Sequence, residues 1–173
     1  MQARAFNNLV VPVAIASWLA GIVLARSIPE PAMDVARFAI PGALLAWASM
    51  RLPTGSSMAR IGRWLLLFSA LAFAAQGLFA FDPADPDAYA SRMRALAWTL
   101  WWLAFAPGAL LSAALRGRIP FIASAIAVVL VCMPALLPMP RAVAVPAQSV
   151  ATLAWFAWWF AAARRTSLSR GAA

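Results

Sequence analysis

The sequence predicts an all-α fold: a polytopic integral membrane bundle of six transmembrane helices in a single domain covering residues 1–173. Three observations support this prediction. Hydrophobic residues make up 65% of the chain and charged residues 11%, with a mean hydropathy of +0.83, whereas soluble domains are about half apolar and a quarter charged. The apolar residues form runs of the length that membrane helices need. The arginines lie in short clusters between those runs.

Six apolar segments are predicted to cross the bilayer, since a helix needs about 20 residues to span a hydrocarbon layer of roughly 30 Å. The predicted spans are residues 9–25, 36–50, 64–81, 95–115, 119–139 and 142–163. The second is the shortest, because its apolar core, residues 38–50, reaches only about 20 Å at 1.5 Å per residue. It crosses if the flanking arginines extend to the interfaces, and the chain has five spans if this segment is re-entrant.

The placement of the arginines predicts the orientation. With six spans, one side of the membrane receives nine arginines and no acidic residue, and the other receives five arginines with all five acids. Because cytoplasmic loops retain positive charge, both termini are expected in the cytoplasm. A five-span chain with its N-terminus outside divides the arginines ten to four, so the charge count alone does not decide. The alanine-rich and arginine-rich composition without lysine indicates a bacterial source, and hence the cytoplasmic (inner) membrane.

Local patterns predict how the helices begin and pack. The first apolar run also has features of a signal peptide, because a basic residue precedes it and small residues end it; we expect it to be a true helix. The link at residues 116–118 is so short that spans four and five should be adjacent and antiparallel. The small-residue pairs Ser17 with Gly21 and Gly108 with Ser112 predict close helix contacts.

Nine tryptophans suggest a site for a flat hydrophobic ligand such as a lipid, quinone or carotenoid. Residues 96–102 and 153–159 share the pattern Leu-Ala-Trp-x-x-Trp-Trp, and the positions i, i+3 and i+4 lie on one helical face. Trp98, Trp101 and Trp102 would then form an aromatic wall. The alternative is that the tryptophans form aromatic belts at the two interfaces. Trp98 lies about 5 Å and Trp155 about 20 Å from the start of its predicted span, which places the two patterns near opposite faces and favours belts.

Polar candidates lie at the outer end of the third span. Gln76, the most polar residue within the spans, is expected to bond across a helix interface or to bind a ligand. The following loop contains Asp82, Asp85, Asp87, Tyr89, Arg92 and Arg94. Its aspartates either cap the next helix and pair with the arginines or form a gate for a cation or substrate. Their spacing does not reproduce a calcium loop, which uses six or more oxygens.

Missing residue types exclude several functions. The chain has no histidine and no lysine, which excludes a histidine-ligated haem and a retinal Schiff base. Its single cysteine, Cys132, leaves no disulfide framework and no Cys/His metal cluster, so no metal site is predicted. No ionisable residue lies at mid-depth in the predicted spans, which argues against a proton pump or a charge-coupled transporter. The net charge of +9 has no polar domain to carry it, so nucleic-acid binding is not expected.

One stretch resembles a known family. Residues 77–83 read Gly-Leu-Phe-Ala-Phe-Asp-Pro at the end of a predicted helix. This stretch resembles domain-of-unknown-function family 998, six-helix bacterial membrane proteins that typically show Gly-Leu-Phe-Pro-x-Asp-Pro at this point. Ala80 stands where the family has proline, and Met93 or Arg94 lies near the position of a histidine that the family tends to carry. The resemblance implies six helices, and any activity that depends on that histidine is not expected here.

The absence of catalytic motifs favours a non-catalytic membrane component. It would be a subunit of a larger membrane complex or a binder of a hydrophobic ligand (lipid, quinone or carotenoid). Its expected partners are membrane lipids, other membrane subunits or such a small molecule, and no particular cofactor is predicted. One alternative is a small transporter or lipid-handling protein with a cavity lined by Gln76, Gln148, Ser149 and the outer aspartates. Another is a membrane enzyme that uses the outer-face carboxylates on a lipid-borne substrate.

Overall fold

The computed structural model describes residues 2–23, 30–52, 54–82, 84–114 and 116–169, which form six helices and no strand. The first helix is α1 (Gln2–Val23). The second consists of α2 (Glu30–Asp34), a π turn (Val35–Ala39) and α3 (Ile40–Met50), which follow one another without a break. The remaining four are α4 (Ser57–Ala75), α5 (Tyr89–Ala114), α6 (Arg118–Leu136) and α7 (Arg141–Ser169). The predicted all-helical class is therefore confirmed for this part of the chain.

Three helices, α4, α5 and α6, are long and apolar enough to cross a membrane, and Leu9–Val23 of α1 is a shorter apolar segment. Large hydrophobic side chains are exposed on the outside of these three helices at spacings of three or four residues. They include Ile61, Trp64, Phe68 and Leu71 on α4, Leu96, Leu100 and Leu103 on α5, and Ile122, Ile126 and Val129 on α6. Each helix thus presents an apolar stripe away from the bundle.

The second helix is longer than the sequence predicts. The predicted span 36–50 begins instead at Glu30, because the helix continues through a charged first turn and the π turn. Its length is therefore about 30 Å at 1.5 Å per residue, against about 20 Å for the apolar core alone. Because helical hydrogen bonding does not require apolar residues, the length of the apolar run underestimated the length of the helix.

The other predicted bounds also shift. The span predicted at 64–81 runs from Ser57 to Ala75, because Gly77 N and Leu78 N each donate at 3.0 Å to a carbonyl three residues back, which tightens the chain into a turn. The spans predicted at 9–25, 95–115, 119–139 and 142–163 become α1, α5, α6 and α7 with the bounds given above. Residues 24, 25 and 115 lie outside the described residues.

The six helices form a closed ring. Each packs against its neighbours in the chain, and α1 also packs against α7. The predicted adjacency of α5 and α6 is confirmed, and their short link contains Gly117 at a φ of 106°, a conformation that glycine adopts readily. The predicted close contact at Gly108 is confirmed as well, since a Cβ there would lie 3.1 Å from Leu65 Cβ and 3.2 Å from Leu66 N on α4.

Aromatic side chains fill the inside of the ring. Phe73 is fully buried at the centre, with its ring centroid 4.5 Å from that of Trp155 and 5.3 Å from that of Trp101. Such tilted and edge-to-face contacts add to the burial of the rings themselves. The interior is therefore an aromatic cluster that joins α4, α5 and α7.

The prediction that the two tryptophan patterns lie near opposite faces is wrong. The ring centroids of Trp101 and Trp155 are only 5.6 Å apart. The error arose because α5 begins at Tyr89, whereas the predicted span begins at residue 95. Trp101 consequently lies about 18 Å from the start of its helix and Trp155 about 21 Å from the start of α7. Trp101, Trp155 and Trp159 are buried inside the ring, which an interfacial belt would not produce.

Candidate functional site

A partly open cavity of about 470 Å³ lies inside one end of the ring. Cavities of about 300–1,000 Å³ are typical of small-molecule sites. Its walls come from α1, the π turn, α4 with the loop that follows it, α5 and α7. The lining residues are Trp18, Arg37, Phe38, Phe73, Gln76, Phe81, Arg94, Ala95, Trp98, Thr99, Trp101, Gln148, Ser149 and Thr152. The cavity therefore brings together residues from almost the whole length of the chain.

The inner part of the cavity is lined by aromatic side chains, whereas its opening has both polar and apolar side chains. Trp18, Phe73 and Trp101 are buried and form the inner wall. Phe81 is 52% exposed, and Ala95, like Thr99 and Gln148, is also exposed, so these residues form the mouth of the cavity. A molecule that enters would pass from a mixed surface into an apolar interior.

The π turn places two residues on the cavity wall. Ile40 N donates to Val35 O, five residues earlier, so this turn is wider than an α-helical turn. Single π turns within α-helices are frequent at functional sites. Arg37 and Phe38 lie within the turn and both line the cavity. The sequence analysis did not predict the π turn.

Helix α1 supports the π turn from the side. Ser17 Oγ donates at 2.8 Å to the carbonyl of Ala36. A Cβ at Gly21 would lie 2.3 Å from Arg37 Cγ and 3.1 Å from Arg37 N, so glycine permits the close approach. The predicted small-residue contact of Ser17 and Gly21 is confirmed, and its partner is the π turn.

A partly buried ion pair lies at the same end of the ring. The Arg94 guanidinium bonds both carboxylate oxygens of Asp34, Nη1 with Oδ2 and Nη2 with Oδ1 at 3.2 Å. Arg94 Nη1 also donates to the Phe79 carbonyl at 3.2 Å, and Arg94 Cζ lies 5.0 Å from the ring centroid of Phe38. Bidentate pairing of this kind fixes geometry as well as adding energy. Arg94 therefore joins α5 to α2 and to the loop after α4.

Several N–H donors on the cavity have no acceptor among the described residues. They are Arg37 Nε, Gln76 Nε2 and Trp101 Nε1, all buried. The lining hydroxyls of Thr99 and Thr152 donate instead to backbone carbonyls one turn back, at 3.0 and 2.9 Å. The buried lining atoms that lack a partner in this part of the chain are thus all hydrogen-bond donors.

The cavity includes some of the candidate residues from the sequence. Gln76, Arg94, Trp98 and Trp101 line it. Trp102 is half-buried and packs against the aromatic core from outside the lining. The structure places Gln76 within reach of the cavity because α4 ends at Ala75 and the chain turns there.

The outer loop residues lie elsewhere. Asp82, Asp85 and Asp87 are exposed and do not line the cavity. Asp82 Oδ1 accepts from Ala84 N at 2.8 Å, so this carboxylate stabilises its own turn. The loop is held by buried Ser91, whose Oγ donates to the Asp85 carbonyl at 3.1 Å and accepts from Asp82 N at 3.1 Å. Tyr89 and Arg92 are exposed on the first turns of α5.

The sequence analysis missed the residues that complete the site. Trp18, Arg37, Phe38 and Thr152 line the cavity, and Asp34 pairs with Arg94. Asp34 precedes the predicted span 36–50, and Arg37 was treated only as the residue that flanks its apolar core, so neither was a candidate. Their spacing of three residues, which places both on one face if the helix starts earlier, was the signal available.

No protein-family model, no curated protein and no solved structure matches the chain. The resemblance to family 998 stays a prediction. Within the described ranges, no group of three His, Cys, Asp or Glu side chains is placed to hold a metal ion. The basis for assigning a function is therefore the geometry of the cavity.

Proposed function

We propose that the chain is a non-catalytic, multi-pass membrane protein that binds an amphiphilic small molecule, such as a lipid or a quinone, in this cavity. The observation that carries the proposal is the combination of aromatic walls with buried N–H donors that have no acceptor among the described residues. Each such donor costs about 1–3 kcal/mol unless it is satisfied. A ligand with an oxygen acceptor and an apolar body suits both features, whereas a hydrocarbon carotenoid would leave the donors without an acceptor.

The outer surface of the ring supports membrane insertion. The exposed stripes of Ile, Leu, Phe and Val on α4, α5 and α6 suit lipid, because contiguous apolar surface is rare on soluble monomers. The second helix reaches about 30 Å when its charged first turn and the π turn are included, which is compatible with six crossings. With six crossings, the arginine distribution supports cytoplasmic termini. The composition supports the bacterial inner membrane as the location.

Binding is favoured over catalysis by the lining itself. It contains two arginines and no carboxylate, so it has no acid–base pair of the kind that lipid-modifying enzymes use. The outer aspartates, on which an enzymatic function would depend, are exposed and lie outside the lining.

One observation favours lipid handling or transport as a second candidate. Gln76, Gln148 and Ser149 all line the cavity, and Gln148 is exposed at the mouth. A polar path from the surface to the interior is what a small transporter needs. Transfer of a fluorescent lipid between the leaflets of proteoliposomes would support this candidate, whereas binding without transfer would leave the protein a binder.

The experiment that tests the proposal is purification in a mild detergent followed by solvent extraction and mass spectrometry of the bound molecules. We expect one amphiphile in stoichiometric amount. Ala95 is exposed at the mouth, so Ala95→Trp should obstruct the cavity and reduce the bound amount severalfold without disturbing the core. The matched control is Ala114→Trp, at an exposed position at the other end of the same helix.

Two results would contradict the proposal. One is a protein that carries only bulk phospholipid in proportions equal to those of the membrane. The other is an equal loss of bound amphiphile in Ala95→Trp and Ala114→Trp, since the molecule would then be attached to the outer surface. Circular dichroism and gel filtration of both variants establish that the fold is retained.

A further inference from the structure

The unpartnered donors of the cavity indicate the chemistry of the ligand's polar group. Arg37 Nε lies on the π turn, Gln76 Nε2 at the end of α4 and Trp101 Nε1 on α5, and none has an acceptor among the described residues. Gln76 is only 3% exposed. Indole N–H groups away from the cavity, on Trp155 and Trp159, also lack acceptors, so the arginine and glutamine carry the argument. The N–H groups of Arg37 and Gln76 both require an acceptor.

The charge of the site limits which polar group the ligand can have. Both oxygens of Asp34 bond Arg94, so that pair is close to neutral. Arg37 forms no ion pair with another described residue, and its Cζ lies 5.4 Å from the Phe38 ring centroid. Asp34 also attracts the charge of Arg37, but the described lining residues include no acid, so the group formed by Arg37, Arg94 and Asp34 has a net charge of one positive unit. A partly buried charge is costly unless an opposite charge lies near it.

Cationic and neutral head groups fit the site less well than an anionic oxygen group. An ammonium group would add a second positive charge and would supply no acceptor. A hydroxyl or a quinone carbonyl would accept from one of the N–H groups but would leave the net positive charge of Arg37, Arg94 and Asp34 unbalanced. An anionic oxygen group both accepts from several donors at once and balances the charge, and such charge-assisted bonds are about twice as strong as neutral ones.

We propose that the ligand is a single-chain or double-chain amphiphile whose head is a singly charged anionic oxygen group, a carboxylate or a phosphodiester, held by Arg37 and Gln76 with Trp101 beside them. Its apolar chain lies against Phe38, Phe73 and Trp98. This inference rests on the proposed function, because it names the class of molecule that the cavity binds.

The test measures the binding of four probes that carry the same stearyl chain and differ in the head group. They are stearic acid, stearoyl lysophosphatidylglycerol, stearyl alcohol and stearylamine, each titrated into the detergent-purified full chain with radiolabelled tracer. We expect the acid or the lysophospholipid to bind at least about tenfold more tightly than the alcohol. The tighter of the two anions then identifies the head as a carboxylate or a phosphodiester.

Two variants connect the preference to the named residues. Arg37→Gln removes the unbalanced charge, and Gln76→Glu places a negative charge beside the head group. Each should weaken binding of the preferred anion about tenfold and binding of the alcohol by a smaller factor. Circular dichroism and gel filtration show that each variant is folded. Arg60→Gln is the matched control, because Arg60 is exposed on α4 and does not line the cavity.

The outcomes separate this inference from the proposed function. If the alcohol binds as tightly as the anions, or the amine binds best, the anionic head group is refuted while the binding function stands. If Gln76→Glu strengthens binding, the head group is a donor and the inference is refuted. If none of the four probes binds, the proposed function itself fails. An anion preference that Arg37→Gln abolishes and Arg60→Gln preserves supports both.

Discussion

Trp101 and Trp158 belong to the two copies of the same sequence pattern, yet their surroundings differ. Trp158 Nε1 donates at 2.8 Å to Ser124 Oγ on α6, and both residues are buried. The cavity beside that pair, bounded by Ser112, Ser124 and Trp158, measures about 30 Å³. Trp101 instead lines the cavity of about 470 Å³, and its Nε1 has no acceptor among the described residues.

The difference separates an end of the ring where Trp158 has an acceptor from the end that we propose binds a ligand. At the Trp158 end, packing is tight and the Trp158 indole has an acceptor, although Trp159 Nε1 beside it has none among the described residues. At the Trp101 end, three buried donors around a large space have no acceptor in the described part of the chain. Proteins keep such locally unfavourable arrangements mainly at functional sites. The predictions below test this division, from the largest expected effect to the smallest.

The aromatic cluster between the two ends should dominate stability. Phe73 is fully buried and contacts the rings of Phe38, Trp101 and Trp155. We expect Phe73→Ala to lower the free energy of unfolding by about 3–5 kcal/mol, because it removes buried surface and leaves a void. Unfolding by sodium dodecyl sulfate, followed by circular dichroism, measures the change.

The control for that prediction is Phe68→Ala, on the same helix at a side chain that is 60% exposed. Its loss should be below about 1 kcal/mol, since an exposed phenylalanine leaves no interior void. Equal losses at the two positions would mean that the interior cluster is not the core of the fold.

The ion pair should stabilise the cavity end by a smaller amount. Arg94→Gln leaves Asp34 without its bidentate partner, and removing one member of a buried pair costs about 3–5 kcal/mol. The two side chains keep 19% and 12% exposure, so we expect a loss of about 2–3 kcal/mol. The same unfolding assay measures it.

A double-mutant cycle separates the pair from its surroundings. Asp34→Asn combined with Arg94→Gln should be less destabilised than the sum of the single variants, because no charge is then left without a partner. Arg92→Gln, at an exposed position two residues earlier, should cost little. Additive losses would show that the two side chains do not interact.

Hydropathy and spacing predicted much of the fold but less of the site. The six helices, the adjacency of α5 and α6, and the contacts of Ser17, Gly21 and Gly108 follow from local sequence, because apolar runs and small residues act over short distances. The pairing of Asp34 with Arg94, sixty residues apart in the chain, depends on closure of the ring. The π turn depends on packing against α1, which hydropathy does not report.

The depth of the tryptophans illustrates how a small local error changes an interpretation. A helix start misplaced from Tyr89 to residue 95 moved Trp101 by about 9 Å along α5. That shift made an interior cluster look like an interfacial belt. Gln76, Arg94, Trp98 and Trp101 were recognised as candidates by residue type alone, while Arg37 and Phe38 were not, because the π turn that places them on the cavity wall was not predicted.

The hydrogen bond between Trp158 and Ser124 should contribute about 1 kcal/mol to stability. Ser124→Ala removes the acceptor of Trp158 Nε1 and leaves a buried N–H without a partner, so we expect a loss of about 1–2 kcal/mol. The matched control is Ser69→Ala. Ser69 is also fully buried, but its Oγ has no partner among the described residues, so its loss should be near zero. The reverse order of the two losses, measured by thermal unfolding, would contradict the division between the ends.

The smallest effect on stability is expected at Gln76, one of the two residues that we propose hold the ligand's head group. Gln76 is buried and its Nε2 has no described acceptor, so replacing it with an apolar side chain of similar size removes an unsatisfied group without creating a void. Gln76→Leu should therefore leave the unfolding free energy of the ligand-free protein within about 1 kcal/mol of the parent, or raise it. Binding of the copurifying amphiphile should fall in the same variant. A large loss of stability would instead mean that the Gln76 side chain holds helices together, as the hydrogen bond between Trp158 and Ser124 does at the other end of the ring.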